Sequence, residues 1–222
     1  MNESVSGQQE GRASLYGMLA LGFTYPDTAL YEFWNNGSFV RELSVAIGKA
    51  APEILEVFEV TLAPELKMTV NYEEFEALYL TAFETNFPKR SVSLYEGDYV
   101  KKGGKPDLLL ELKDFYSNFG LEVSEELHEL EDRITAELEF MQFLALKQSQ
   151  DGIDKTPYIM AQRDFLERHL APWMPHLQKE VYKRNIGTFY IGLTDLLARF
   201  VEADLEYLRK IDPDIETRSA QR

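Results

Sequence analysis

Apolar residues recur at steps of three and four along most of this chain, and that spacing limits what it can fold into. Near the carboxyl end the repeat is carried by Phe189, Leu193, Leu196, Leu197, Phe200, Leu205 and Leu208. Such spacing places the residues on one stripe of an α-helix. The alternation of apolar and polar residues that marks a half-buried strand hardly appears. The pattern therefore predicts an all-α protein with no significant sheet.

Helix-start and helix-stop residues divide the chain into about ten helices. Asn71 followed by Glu74 matches a capping box, and Gly120 suits the left-handed position after a helix. The longest helix is predicted over residues 124–148, where one stripe contains Leu127, Leu130, Ile134, Leu138, Met141 and Ala145. Its second half is apolar nearly all round, so we expect that half to be buried.

Residues 86–106 interrupt the helical pattern. Their sequence, NFPKRSVSLYEGDYVKKGGKP, contains two prolines, three glycines and a cluster of lysines. Stretches of this length without a helical or strand pattern are uncommon in compact domains, and they are usually functional or mobile. The sequence predicts a long loop here.

The net charge restricts the partners of the chain. Its 222 residues carry a formal charge of −15, which repels nucleic-acid backbones and anionic lipid. The same surface attracts a basic partner such as an arginine-containing peptide, although a need for solubility explains such a charge equally well. No apolar run is long enough to span a membrane, and the amino terminus lacks the basic start of a secretory signal. We therefore expect a cytoplasmic protein that binds neither nucleic acid nor membrane.

Residues that carry chemistry are sparse. Cysteine is absent, which excludes disulfides, thiolate catalysis and iron–sulfur ligation. Glu125 and His128 form a single Glu-x-x-His spacing, whereas a di-iron bundle needs two. Residues 103–105, Gly-Gly-Lys, lack the spacing of a phosphate-binding loop. The sequence therefore predicts no catalytic site, no metal site and no cofactor of its own.

One stretch resembles a known family signature. Residues 129–141, ELEDRITAELEFM, resemble the signature of the TorD/DmsD/NarJ redox enzyme maturation chaperones. In that family a Glu-Pro-x-Asp-His segment precedes a helix reading Leu-x-x-Met or Glu-Leu-x-Phe-Met. Asp132 falls on the family's aspartate, but Leu130 replaces its frequent proline and Arg133 its usual histidine. Any role of that histidine is therefore not carried over to this chain.

The resemblance extends from about residue 16 to residue 208. Residues 79–83, YLTAF, and 93–95, SLY, resemble the family's aromatic helix and its following Ser-x-Tyr segment. Residues 109–120 resemble its next helix, and residues 165–173, FLERHLAPW, its FL-x-x-HL-x-x-W pattern. The segments SLYEG and ELEFM are most similar to the branch that serves type II DMSO reductase family molybdoenzymes.

The resemblance implies a helical bundle with two lobes. The single chaperone domain would cover residues 1–222, with an amino-terminal lobe over about residues 8–121. A hinge over about residues 122–133 would lead to a carboxyl-terminal lobe over about residues 134–210. Residues 211–222 would form a frayed tail.

The resemblance also implies a function. Such a chaperone binds the twin-arginine leader peptide and the apo form of a molybdenum oxidoreductase catalytic subunit. It holds that client in the cytoplasm until the molybdopterin cofactor, which the client carries, has been inserted before export. The chain would act as a monomer or a homodimer. Two alternatives stay open: an acidic, all-α, metal-dependent nucleotide hydrolase, and a permanent structural subunit of a redox complex.

The predicted peptide-binding residues fall in two groups. Carboxylates and one arginine around the signature would meet the basic part of a leader, although the helix dipole alone also favours carboxylates there. Aromatic and apolar side chains would line a groove for its apolar part, although aromatic residues are common in any core. The residues are Glu129, Glu131, Asp132, Arg133, Glu137, Tyr79, Phe83, Leu94 and Tyr95.

Overall fold

The computed structural model of the chain describes residues 2–85, 91–100, 103–123 and 130–211, with the backbone alone for residues 2–6. The α-helices are α1 (Asn2–Phe23), α2 (Thr28–Asn35), α3 (Ser38–Ala50), α4 (Leu55–Val57), α5 (Ala63–Glu65), α6 (Tyr72–Tyr79), α7 (Lys105–Ser117), α8 (Ile134–Ser149), α9 (Thr156–Phe165), α10 (Ala171–Arg184) and α11 (Thr188–Ile211). Short 3-10 turns lie at Pro52–Ile54 and Glu96–Asp98, and π-helical turns at Phe58–Leu62, Leu80–Glu84 and Leu166–Leu170. The described ranges contain no sheet, and the predicted all-α fold is confirmed.

Helix α1 organises the bundle because it packs against α3 on one side and α8 on another. Helix α11 packs against α10 and contacts α9, α5 and α1. The apolar residues that predicted α11 are all buried, in a core that is continuous through the described helices. The division into two lobes, with its boundaries, stays a prediction. No helix in the described part of the chain is long and apolar enough to cross a membrane.

Local sequence signals explain several helix ends. Asn71 Oδ1 accepts a hydrogen bond from the Glu74 amide at 2.9 Å, and Glu74 Oε2 accepts one from the Asn71 amide at 3.3 Å. The predicted capping box is therefore present at the start of α6. Asp27 caps α2 through the Leu30 amide at 2.7 Å.

A buried polar network joins α1 to the carboxyl-terminal helices. The Arg12 guanidinium binds both carboxylate oxygens of Asp204, and it donates to Gln148 at 2.8 Å and Gln162 at 2.6 Å. The Tyr16 hydroxyl donates to Asp204 at 2.7 Å. Arg12 is fully buried and Asp204 nearly so. Since every charge here has a hydrogen-bonding partner, the network links α1, α8, α9 and α11 while its hydrogen bonds offset much of the desolvation cost.

Glycine allows α1 to cross α3 closely. A Cβ atom at Gly11 would lie 2.5 Å from Lys49 Cβ and 3.0 Å from the Ala50 backbone nitrogen. At Gly7, about one turn earlier on the same helix, a Cβ atom would meet nothing within 4 Å. Alanine substitutions at the two positions therefore distinguish steric overlap at the helix crossing from the change in helix propensity.

We expect Gly11→Ala to lower the free energy of unfolding by about 1–3 kcal/mol, because overpacking outweighs the gain in helix propensity. Gly7→Ala, the matched control, should raise it by about 0.5–1 kcal/mol, because alanine loses less backbone entropy than glycine. Urea unfolding followed by circular dichroism measures both changes. Equal changes in the two variants would show that α1 and α3 do not cross at Gly11.

The prediction of a helix over residues 124–148 is wrong at its amino-terminal end. Helix α8 begins at Ile134, and the described residues 130–133 before it are not helical. The backbone there pairs with another segment, because the Ile134 amide donates to the Leu94 carbonyl at 2.9 Å. Residues 124–129 lie outside the described residues. Helix α11, with 24 residues, is the longest described helix.

The predicted long loop is also only partly correct. Its residues 86–90 and 101–102 lie outside the described residues, but residues 91–100 are packed structure. Val92, Leu94 and Glu96 are buried, and the Tyr99 ring stacks on Trp173 with centroids 5.6 Å apart. We call residues 91–100 the crossing segment. Apolar side chains at alternate positions explain why it packs on the bundle.

Candidate functional site

The candidate site is built where the crossing segment meets the chain that leads into α8. Tyr95 and Arg133 form an isolated antiparallel bridge, and the Glu96 amide donates to the Asp132 carbonyl at 2.9 Å. The Asp132 side chain adds a third link, because its Oδ2 accepts from the Gly97 amide at 3.0 Å. A Cβ atom at Gly97 would lie 2.9 Å from that oxygen, so a larger residue here would displace the Asp132 carboxylate. These links bring four of the predicted site residues, including Leu94, to one place.

Arg133 is the centre of the site. Its guanidinium donates to the hydroxyl of Tyr79 at 3.1 Å and to that of Tyr95 at 3.4 Å. The more exposed Glu84 lies 3.7 Å away. Phe83 packs edge-on against Tyr79, with ring centroids 5.2 Å apart. Arginine suits this position because its planar group serves several acceptors at once and stays charged.

Two cavities meet at Arg133. The smaller, of about 170 Å³, is lined by Phe83, Glu84, Ser91, Ser93, Leu94, Tyr95 and Arg133. The larger, of about 490 Å³, is lined by Thr24, Tyr25, Tyr116, Leu121, Glu122, Val123, Arg133, Thr135, Ala136, Glu139, Phe140 and Phe143. We call the larger cavity the α8 groove. Its walls are mainly apolar and aromatic, with a few polar side chains, which is the composition of ligand-binding pockets.

The sequence did not identify the rim of the α8 groove. Tyr25 lies just after α1, packs edge-on against Tyr79 at 5.4 Å between centroids, and donates a hydrogen bond to Glu76. That hydrogen bond raises the pKa of Tyr25 to about 12, so the hydroxyl stays a donor at neutral pH. Phe140 and Phe143 reach the groove from α8. No sequence spacing links Tyr25 to Phe140 and Phe143, because Tyr25 lies on a separate segment that meets α8 only in the fold.

The predicted acidic residues lie mostly away from the groove. Asp132 is fully buried, and its Oδ2 is 3.4 Å from Lys105 Nζ. Glu137 is fully buried and accepts from the Trp173 indole at 3.2 Å. Glu131 is partly buried, and its carbonyl accepts from the Tyr116 hydroxyl at 2.8 Å. Glu129 lies outside the described residues.

Burial dominates the electrostatics behind the site. It raises the pKa of Glu137 well above its ordinary value, and the charges of Glu96 and Asp132 raise it further. The Trp173 indole opposes this shift by donating to the carboxylate. Within the described ranges, no three His, Asp or Glu side chains are arranged to hold a metal ion. The arrangement offers an apolar groove, a cation at its edge and buried carboxyl groups behind it.

Comparisons with known proteins give relatives over most of the chain. The family model described as "Nitrate reductase delta subunit" matches residues 41–179. The perchlorate reductase assembly chaperone protein of Dechloromonas aromatica (strain RCB) is 46% identical over 198 residues, which cover 88% of this chain and 88% of that protein. The selenate reductase assembly chaperone protein of Thauera selenatis is 36% identical over 149 residues, covering 66% and 76%. The chlorate reductase assembly chaperone protein of Ideonella dechloratans is 38% identical over 112 residues, covering 49% and 58%.

Proposed function

Because this chain belongs to the nitrate reductase delta subunit family, which includes the NarJ and TorD chaperones, we propose that it is the assembly chaperone of a molybdenum oxidoreductase. The predicted TorD/DmsD/NarJ membership is confirmed by the family match. Relatives named for perchlorate, selenate and chlorate reductases support a client in the type II branch of the DMSO reductase family. All three are named as assembly chaperones and not as enzymes, so we assign no catalytic activity.

The client is recognised by its amino-terminal leader peptide, and the α8 groove is the observation that carries this proposal. Its volume of about 490 Å³ suits several side chains of an apolar peptide segment. Glu122 and Glu139, both exposed, line the groove and face a basic leader with opposite charge. The chaperone acts in the cytoplasm and uses no cofactor of its own, since the molybdopterin cofactor belongs to the client.

The nine predicted residues take different parts in this site. Tyr95 and Arg133 contact the leader, because both line the smaller cavity and Arg133 also lines the α8 groove. Glu129 and Glu131 attract its basic residues. The buried members shape the site from behind and are Tyr79, Phe83, Leu94, Asp132 and Glu137. No specific observation favours a nucleotide hydrolase or a permanent subunit of a redox complex over this chaperone.

Blocking the α8 groove tests the proposal. Ala136 is partly buried on the groove side of α8, so Ala136→Trp should fill the groove and weaken leader binding at least tenfold, about 1.4 kcal/mol. Leu146→Trp is the matched control, because Leu146 is exposed on the same helix and does not line the groove. Its affinity should equal that of the wild type.

The probes are synthetic amino-terminal peptides of the molybdenum oxidoreductase catalytic subunits encoded in the same genome, titrated calorimetrically. Affinity capture from the native cytosol, with mass spectrometry of the captured amino termini, identifies the client. If Ala136→Trp binds a leader as tightly as the wild type, the groove is not the site. If the wild type binds no leader and captures no oxidoreductase, the chaperone assignment is wrong.

A further inference from the structure

Two glutamates that no local pattern connects meet in the interior behind the site. Glu96 lies in the crossing segment and Glu137 in the first turn of α8, and both are fully buried. The charge of Glu96 raises the pKa of Glu137, and each glutamate has one buried carboxyl oxygen, Oε1, without a hydrogen-bond partner. Two neighbouring carboxylates cannot hydrogen-bond to each other, because neither has a hydrogen to donate. A single proton shared by the pair would give both Oε1 atoms a partner.

The remaining hydrogen bonds leave a place for this proton. Glu96 Oε2 lies 3.0 Å from His169 Nδ1, and Glu137 Oε2 accepts from the Trp173 indole at 3.2 Å. No described group donates a hydrogen bond to Glu96 Oε1 or to Glu137 Oε1. The two Oε2 atoms are thus bound by His169 and Trp173, and the two Oε1 atoms are left to share the proton.

Each element packed around the pair brings its own charged or titratable groups. The chain before α8 supplies Asp132, which Lys105 of α7 partly neutralises at 3.4 Å. Helix α7 also supplies Glu111, 3.3 Å from His169 Nε2 and paired with Arg168. Burial raises the pKa of Tyr116 on the same helix, and the charges of Glu137 and Glu96 raise it further. Carboxylates outnumber the nearby cations that are always charged, so the surroundings favour keeping a proton on the pair.

The sign of the pH dependence follows from the raised pKa of Glu137, which is caused first by burial and then by Glu96. A raised pKa means that the folded state holds the proton more tightly than the unfolded chain does. The associated stability is fully present below the ordinary glutamate pKa and is lost as pH rises through the raised value. Alkaline pH therefore leaves two like charges in contact in the interior.

The pair holds the crossing segment against the carboxyl-terminal half of the chain. Glu96 follows directly after Leu94 and Tyr95, which line the smaller cavity beside Arg133. Its carboxyl group contacts His169 on the π-helical turn at Leu166–Leu170, and its charge raises the pKa of Glu137 on α8. Repulsion within the pair would therefore displace the segment that presents Tyr95.

We propose that Glu96 and Glu137 are positioning residues that share one proton and hold the crossing segment in its leader-binding position only while that proton is present. The inference rests on the proposed leader site and adds to it a dependence on pH. Leader affinity is high at acidic and neutral pH and falls as the medium becomes alkaline. Glu137→Gln removes this dependence, because the amide is neutral, nearly isosteric and able to donate to Glu96.

The first test is calorimetric titration of the leader peptide between about pH 6 and about pH 9, a range in which buried glutamates titrate. The wild-type dissociation constant should rise at least tenfold, and that of Glu137→Gln less than about twofold, across this range. Glu32→Gln, an exposed carboxylate on α2, is the control and should follow the wild type. A flat wild-type profile, or one that Glu137→Gln shares, overturns the proposal. Glu96→Gln, with the same expected flat profile, replaces Glu137→Gln if that variant does not fold.

The second test needs no peptide. The indole Nε1–H resonance of Trp173, assigned with the help of Trp34→Phe, should shift with alkaline pH in the wild type and stay fixed in Glu137→Gln. Amide hydrogen exchange in residues 91–100 should increase over the same range in the wild type alone. If these signals change but no leader binds, the proposed function fails and the shared proton stands. If the leader binds while both signals stay constant, the shared proton is wrong and the proposed function stands.

Discussion

Arg12→Met should lower the free energy of unfolding by about 3–5 kcal/mol, because it leaves Asp204 as a buried charge without its cation. The Arg12 guanidinium binds both oxygens of Asp204 and also serves Gln148 and Gln162, in a region that water does not reach. Methionine replaces the volume of the arginine stem but none of its donors. Urea unfolding near neutral pH measures the loss.

Arg209→Met is the matched control for Arg12→Met. Arg209 also pairs with a carboxylate, that of Glu167, at 2.8 Å, but its side chain is 57% exposed. Exposed pairs contribute about 0–1 kcal/mol, so this variant should change the free energy of unfolding little. The double variant Arg12→Met with Asp204→Leu should recover much of the lost stability, since neither charge then stays buried. A loss from Arg12→Met as small as that from Arg209→Met would show that the network does not hold α1 in place.

Features that depend on neighbouring residues in the sequence were the ones that could be predicted. The stripe on α11 follows from spacing alone, since a helix places every third or fourth residue on one side. The capping box at Asn71 also needs only the following turn. The start of α8 was wrong for the opposite reason. Leu94, 40 positions earlier, supplies the carbonyl that accepts the Ile134 amide, and nothing in the helical repeat signals that pairing.

In the candidate site, too, some features could be predicted from the sequence and others depend on long-range contacts. The resemblance to a family selected Tyr79, Tyr95 and Arg133, and the structure brings their side chains into hydrogen-bonding contact. The sequence predicted Asp132 and Glu137 among the carboxylates that would meet a leader, and the structure buries both. A run of carboxylates before a helix gives no information on which of them a separate segment will cover. The crossing segment provides that cover, and its packing depends on long-range contacts.

Asp132→Asn should weaken leader binding at least tenfold and lower the free energy of unfolding by about 1–3 kcal/mol. The Asp132 carboxylate accepts from the Gly97 amide at 3.0 Å and lies 3.4 Å from Lys105 Nζ. A neutral amide weakens the first contact and removes the charge attraction in the second. The turn at Glu96–Asp98 then loosens, and Tyr95 beside it loses its fixed position. Calorimetric titration of the leader at two salt concentrations and urea unfolding provide the two measurements.

The companion variant Lys105→Gln decides how Asp132 acts. If Asp132 binds an arginine of the leader directly, Lys105 competes for it, and Lys105→Gln should strengthen binding. If Asp132 positions the crossing segment, as its burial indicates, Lys105→Gln should change affinity less than about threefold, because Lys105 is partly exposed and contributes little. Arg133→Ala should weaken binding more than Arg133→Lys, since lysine keeps the charge beside Tyr79 and Tyr95 but not the planar donors. Wild-type affinity for Asp132→Asn at both salt concentrations would place the leader site elsewhere on the bundle.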